Sequence, residues 1–382
     1  MHREPSTWIN NLARLSQYPK HTIGHHYDSD DDMSAPKATI PLIDFSPFLV
    51  DEGVLDGKEP TEPQISVAKE IDKVCRMHGF LALTNFGISA EERDLLFAES
   101  EKLFSLPPDA KQKLTLINPS TNTGYAPILT ERLNRSRPPE MKEAFNFRFP
   151  PKHVNPLENC PKSLGDLVEN VMIPKYQDLA RRFAVACAIA LDIPESDFFS
   201  RTLRDFDSTA IRMLHYPPCD WHDSMSNPGD VSQALRIGEH TDFGMVTFLM
   251  VHPDHGPEGL QIKPVAGGEV GGEAGGEGEG WRNIALPETN DPVIIVNTGA
   301  LMARWTNDTW KATAHRVVVT DEEAAGRSRY SIACFIDPDA ESLIDVHPQY
   351  AENTTYEPIL GKDYLTMKLK SMMKDSENKR VE

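Results

Sequence analysis

Apolar positions change their spacing along the chain near residue 208. Before that point they recur at helical intervals between short strand-like runs. Ile40-Pro41-Leu42-Ile43-Asp44-Phe45 predicts a first strand, and Ile71, Val74 and Cys75 share one face of a helix over about 65–78. Residues 79–85 read as a second strand. Ser89, with Glu92 three residues on, forms a capping box for a helix carrying Leu95, Leu96, Glu99, Leu103 and Phe104, which Pro107-Pro108 stops. A longer helical stretch over 164–191 turns Leu179, Phe183, Ala186 and Leu191 inward, and Pro174 divides or kinks it. After 208 the pattern becomes short β-type runs broken by Gly, Pro and Asn: 210–216, 245–249, 260–262, 293–296, 315–319 and 330–335. Such strands, with no long helices between them, predict a sandwich or barrel of antiparallel strands. A last helix is expected over 361–376, with Tyr364, Leu365, Leu369 and Met372 inward.

Two segments lie outside this pattern. In residues 1–37, Asp28, Asp30, Asp31 and Asp32 follow His21, His25 and His26, which reads as a mobile arm. Residues 266–280 hold eight glycines and four glutamates in fifteen positions, cannot bury apolar area, and read as a loop inserted in a hairpin connection. The expected organisation is therefore an arm over 1–37, an N-terminal α/β region over 38–207 packing on the core, a β core over 208–345 interrupted at 266–280, and a helical tail over 346–382.

Composition narrows the class. At 382 residues, 39% hydrophobic and 25% charged, the chain can build a sizeable core. A net charge of −19, from 58 acidic and 39 basic residues, argues against a nucleic-acid partner. No stretch has the length and apolarity of a membrane span, and nothing marks an obligate protein partner. The five cysteines are scattered without a CxxC pair, which argues against a disulfide framework or a zinc-thiolate site and for a reducing, cytoplasmic setting.

The chemistry concentrates in three places. His240 and Asp242 stand two apart, so a strand would project both from one face; an imidazole with a carboxylate suits Fe(II), Mn(II) or Zn(II). His315 opens a strand-like run 75 positions later. Arg329 and Ser331, fourteen and sixteen positions beyond His315, share a strand face, and a planar guanidinium with a neighbouring hydroxyl makes a carboxylate clamp. Two histidines and one carboxylate in this order are the facial triad of non-haem Fe(II) oxygenases.

With those residues, the chain resembles the Fe(II)/2-oxoglutarate dioxygenases related to isopenicillin N synthase. The resemblance spans about 38–340. It rests on IPLIDFSPF (40–48), GFLALTNFGI (79–88), KLFSLPPDAK (102–111), GYAP (124–127), KEAFNF (142–147), MLHYPPC (213–219), GEHTDFGMVTFLM (238–250), GLQI (259–262), NTGALMARWTND (297–308), TAHRVVV (313–319) and RYSIACF (329–335). It implies a mainly β fold with flanking α, a double-stranded β-helix (jelly-roll) core with N-terminal helices and a C-terminal helix. It implies His240, Asp242 and His315 as ligands of Fe(II), Arg329 and Ser331 as the clamp for the distal carboxylate of 2-oxoglutarate, and Tyr216 as a further contact to that cosubstrate. Leu214 departs from the Asn common in plant members. The interval between the histidines exceeds the usual one by roughly the glycine-glutamate tract. Arg327 competes with Arg329, but only Arg329 has a serine two positions on.

The implied activity consumes O2 and 2-oxoglutarate, releases succinate and CO2, and hydroxylates, desaturates or cyclises a small-molecule metabolite. Arg148, Arg212, Arg236 and Arg304, in segments that border the site in relatives, would suit a carboxylated substrate. Two rival readings keep the fold: an isopenicillin N synthase-like iron oxidase that does not use 2-oxoglutarate, and a non-catalytic jelly-roll that binds a metal and an acid.

Overall fold

The computed structural model describes residues 35–50, 52–114, 123–132, 139–149, 160–219, 236–263 and 280–374. These fall in one contact-dense unit, Ala35–Glu382. Most of the arm (1–34), the insertion apart from Gly280, and the end of the tail lie outside the described residues, so the expectations for them stand where the sequence left them.

Two sheets face each other. In chain order the strands are β1 (Lys37–Thr39), β2 (Leu42–Asp44), β3 (Phe80–Thr84), β4 (Gly124–Ala126), β5 (Glu143–Arg148), β6 (Ala210–Tyr216), β7 (Ile237–His240), β8 (Val246–Val251), β9 (Leu260–Ile262), β10 (Arg282–Ala285), β11 (Ile294–Thr298), β12 (His315–Val317) and β13 (Arg329–Ile336). The larger sheet has the order β2-β3-β11-β8-β13-β6-β5-β4, and the smaller one β1-β10-β9-β12-β7. All neighbours are antiparallel except the pairs β1–β10 and β2–β3. This is the double-stranded β-helix with flanking helices. Residues before 207 do more than pack on it: β1 to β5 lengthen both sheets and cover edges that would otherwise offer unpaired backbone groups.

The large sheet is buried on both faces, so its strands read as continuous apolar runs, with the two-residue period deciding which core each side chain joins. Ile211, Met213, Phe248, Met250, Ile294, Val296, Ile332 and Cys334 point to the helices. Leu214, Tyr216, Val251 and Ile295 point into the space between the sheets. Helices α1 (Glu62–Met77) and α2 (Ala90–Phe104) both start at capping boxes, Thr61 with Gln64 and Ser89 with Glu92. On α2 the buried face carries Leu96, Phe97, Glu99, Leu103 and Phe104, whereas Leu95 is exposed, one position off that face. Helix α3 (Ile173–Ala190) lays Phe183 edge-on against Phe248 of the sheet at 5.6 Å. Pro174 does not break it. The chain reaches Pro174 through a helix (Lys162–Leu167) and one π-turn (Val168–Met172), the wider turn that absorbs the proline's missing donor and its ring. Short helix α4 (Ala300–Trp305) and the closing helix α5 (Gly361–Lys374) flank the turn after β7. Ala300 N–H donates to the Asp242 carbonyl, and the Tyr364 hydroxyl donates to the Phe243 carbonyl at 3.2 Å.

Candidate active site

His240 ends β7 and His315 begins β12, and the two residues face each other across the antiparallel pair. A register shift between Ile237 and His240 lets both of those side chains face inward. Asp242 is not on the strand. It stands in the turn that follows, so the two-apart spacing works here through a turn rather than through strand alternation. That turn is tied from below: Gly299 N–H donates to Met245 O, Ala300 N–H to Asp242 O, and Leu301 N–H to Phe243 O, at 2.8–3.0 Å.

The three side chains converge. One ligand atom from each lies within 4.8 Å of the others. Both Nε2 atoms stand 3.7 Å from Asp242 Oδ1, and the two imidazole centroids are 4.2 Å apart. Every other polar atom of the trio is engaged. His240 Nδ1 meets the Gly238 carbonyl at 2.8 Å and His315 Nδ1 meets the Thr313 carbonyl at 3.2 Å. A carbonyl only accepts, so each Nδ1 carries a proton, and the neutral tautomer with that bond leaves Nε2 as the metal-ligating nitrogen. Thr247 Oγ1 (2.6 Å) and Asn297 Nδ2 (2.8 Å) donate to Asp242 Oδ2, leaving Oδ1 turned to the histidines. Burial pushes the His240 imidazole down to about 4, helped by His315 and opposed by Asp242. Burial would raise the Asp242 carboxyl, but His315, His240 and the two donors hold it below its ordinary value. Neutral imidazoles and an ionised carboxylate are the protonation states a metal requires. Phe80 seals the far side of His315, edge to face at 5.4 Å.

A second constellation stands on β13 and β6 of the larger sheet, where Ser331 is paired with Leu214 and Val251. Arg329 and Tyr216 are paired across β13 and β6, and Ser331 follows on the same face. All three are buried. Arg329 Nε donates to the Glu258 carbonyl at 2.8 Å, Nη1 reaches Ser331 Oγ at 3.4 Å, and Cζ stands 4.9 Å from the Tyr216 ring centre. Among the described residues no carboxylate lies within ion-pair distance of this guanidinium. Arg327, its rival in the sequence, is half-exposed and paired with Glu258 and Glu323.

The four further arginines separate. Arg212 is ion-paired to Glu131, which also faces Lys142 at 3.5 Å; Lys142 pairs in turn with Glu140, and Glu140 Oε1 accepts from Gly238 N–H. This charged cluster backs the strand that carries His240. Arg148 donates to the Ser208 carbonyl at 2.6 Å and faces the carboxyls of Asp337 and Asp207. Arg304 donates to the Glu357 carbonyl and stacks on Tyr356. Arg236 sits at Arg329's end, its Cζ 5.9 Å from the Tyr216 ring. Thr247 and Asn297 were not among the sequence candidates. The signal was present for Asn297, a polar residue closing the apolar run Ile294-Ile295-Val296, because a buried polar side chain in a central strand needs a partner.

A model of the 2OG-Fe(II) oxygenase superfamily matches residues 208–338, and a model described as non-haem dioxygenase in morphine synthesis N-terminal matches 40–163. The chain is 28% identical over 352 residues to the 2-oxoglutarate-Fe(II) type oxidoreductase hxnY of Emericella nidulans, covering 86% of this chain and 88% of hxnY. It is 31% identical over 299 residues to ppzD of Metarhizium majus, also a 2-oxoglutarate-Fe(II) type oxidoreductase, covering 70% of this chain and 77% of ppzD. The crystal structure of Neurospora crassa T7H with alpha-KG superposes with a TM-score of 0.69 at 31% identity, covering 88% of this chain and 99% of T7H. T7H has also been crystallised with alpha-KG and thymine, and with alpha-KG and 5-formyluracil. The chain belongs to the 2-oxoglutarate–Fe(II) oxygenase superfamily. It is a 2-oxoglutarate-dependent dioxygenase that uses Fe(II) and O2 and acts on a small molecule. No helix among the described residues is long and apolar enough to cross a membrane.

Proposed function

We propose that His240, Asp242 and His315 hold the iron, that Arg329, Ser331 and Tyr216 hold the distal carboxylate of 2-oxoglutarate, and that the substrate is a small uncharged molecule rich in hydrogen-bonding groups. The observation that carries the first two assignments is a complementary pair. Three donor atoms converge with their other polar atoms already engaged, and a buried guanidinium nearby has no carboxylate of its own among the described residues. Burying a guanidinium without its counter-charge is costly, so the charge fits an anion that arrives with the cosubstrate.

Iron, when bound, supplies the redox chemistry that couples oxidation of 2-oxoglutarate to succinate and CO2 with hydroxylation, desaturation or ring closure of the substrate. The chain's own part is orientation. Thr247 and Asn297 hold one oxygen of Asp242, so that the other stays aimed between the imidazoles. Arg329 and Ser331 set the depth of the cosubstrate, and Phe80, Leu214 and Val251 belong to the apolar cluster between the sheets, with Phe80 packed on His315.

Two features support an uncharged substrate. Arg212 and Lys142, in the charged cluster behind the strand that carries His240, are already neutralised by Glu131 and Glu140. T7H binds thymine and 5-formyluracil, both uncharged polar rings. The metal and cosubstrate assignments are tested anaerobically. Fe(II) with 2-oxoglutarate should give a weak visible charge-transfer band that His240→Ala and Asp242→Ala abolish; a band of normal intensity in either variant overturns the ligand set. Succinate release from matched neutral and carboxylated small molecules tests the substrate class, and a preference for the carboxylated members would reverse it.

A further inference from the structure

We propose that Arg236 is a second cation of the cosubstrate pocket, sharing the distal carboxylate of 2-oxoglutarate with Arg329. This rests on the assignment of Arg329 above.

The surroundings of Arg236 point to this role. The residue is 2% exposed. Its Nη2 donates to the Ala324 carbonyl at 2.9 Å and the Arg327 carbonyl at 3.4 Å, while Nε is buried without a partner among the described residues. Carbonyls orient a guanidinium but do not cancel its charge. Its Cζ lies 5.9 Å from the Tyr216 ring centre, and that of Arg329 lies 4.9 Å from the same ring, so two cations address one phenol. Of the local acids, Glu323 pairs with Arg327, and Glu258 pairs with Arg327 at 2.5 Å while its Oε2 is buried without a hydrogen-bond partner among the described residues, so one carboxylate charge is set against three guanidiniums. Among the described residues no carboxylate comes within ion-pair distance of Arg236 or Arg329.

Two like charges buried side by side repel each other and lose hydration together. Burial and the neighbouring Arg329 both depress the Arg236 guanidinium, in keeping with that repulsion. The arrangement becomes favourable when an anion enters between the two groups. Arg236 therefore belongs to the recognition of the cosubstrate's charge rather than to the substrate.

The experiment compares 2-oxoglutarate with 2-oxopentanoate, which keeps the oxo-acid head and lacks the distal carboxylate. Calorimetric titration of each into the anaerobic Fe(II)-loaded protein is run for the wild type, Arg236→Gln, Arg236→Met, Arg236→Lys and Arg329→Ala. Gln keeps a donor for the carbonyls and Met keeps the apolar stem, so failure of one to fold leaves the other. Loss of the charge should weaken 2-oxoglutarate by about tenfold or more and leave 2-oxopentanoate unchanged, with Lys restoring most of the affinity. A structural role would weaken both ligands alike, and that result overturns the proposal. So does undiminished 2-oxoglutarate binding in Arg236→Gln or Arg236→Met when Arg329→Ala binds it poorly. Undiminished binding in Arg329→Ala would instead overturn the underlying assignment of the clamp.

Discussion

Asp242 lies beyond the end of β7, so its aim depends on the donors that hold its outer oxygen. Removing one of them should show how much. Asn297→Ala deletes the 2.8 Å bond to Oδ2, and Thr247→Val deletes the 2.6 Å bond while keeping nearly the same shape. A hydrogen bond to a charged group contributes about 1.5–3 kcal/mol. Part of that is lost from the metal-free protein too, because Oδ2 is buried and the turn is pinned by α4. The part that weakens metal binding is the freedom Oδ1 gains to rotate toward one imidazole, since it stands 3.7 Å from each. Loss of such outer partners costs about 10–100-fold in metal affinity. Each single variant should therefore bind Fe(II) or Mn(II) about tenfold more weakly, near 1.4 kcal/mol, and the double variant at least 100-fold more weakly. Anaerobic Fe(II) titration followed by calorimetry, and Mn(II) titration followed by paramagnetic resonance of the free ion, both read this directly. Thermal unfolding of the metal-free proteins separates the stability cost. If both single variants keep wild-type metal affinity, the carboxylate is oriented by its backbone alone, and Asn297 and Thr247 have no part in aiming it.

Three further outcomes are expected. Gly299→Ala would place a Cβ 2.2 Å from the Gly244 carbonyl oxygen, a clash with backbone that costs about 1–3 kcal/mol and displaces the Asp242 turn; differential scanning calorimetry and a metal titration should both register it, and a wild-type profile in both would contradict the close packing of these glycines. Arg329→Ala should weaken 2-oxoglutarate by about 100-fold with Fe(II) affinity near normal, read by ligand titration in the absence of oxygen. His78 is buried and its imidazole is pushed down to about 4 by burial, so the unfolded chain takes up a proton that the folded chain refuses; stability falls as pH drops from about 6.5 to 4, by up to about 3 kcal/mol, and His78→Gln should flatten that part of the urea-unfolding pH profile.

What the sequence makes legible follows from period and punctuation. The strand runs at 210–216, 260–262 and 330–335 fall on β6, β9 and β13 because a two-sided core demands nearly unbroken apolar stretches. The Ser89 capping box is read correctly because its two hydrogen bonds are local. Order and spacing bring together His240, Asp242 and His315. Strand alternation would nevertheless put Asp242 on β7, whereas the chain turns there; the tether from α4 comes from 58 positions downstream and leaves no trace in the neighbouring residues. The partners of the arginines are equally invisible. Arg148, Arg212, Arg236 and Arg304 look alike in a sequence, and only the fold gives Arg212 to Glu131, Arg304 to a backbone carbonyl and Arg236 to a cationic pair.

Net charge illustrates the same division between what is additive and what is arranged. A total of −19 describes the whole chain, and at ionic strengths where fields decay within about 8 Å it governs the approach of an anion rather than its binding. The surroundings of Tyr216, with Arg329 and Arg236 near its ring, have the opposite sign, and those charges are buried where screening is weak. If the cosubstrate assignment proposed above holds, an acidic protein selects a dianion through local buried guanidiniums rather than through its total charge. The paired charges of Glu131, Arg212, Lys142 and Glu140 leave the region backing His240 close to neutral. One interior then holds two environments, a cationic end around Tyr216 and a side behind His240 whose charges cancel. The proposed metal ligands, His240 and His315 on β7 and β12 with Asp242 after β7, belong to the facing smaller sheet.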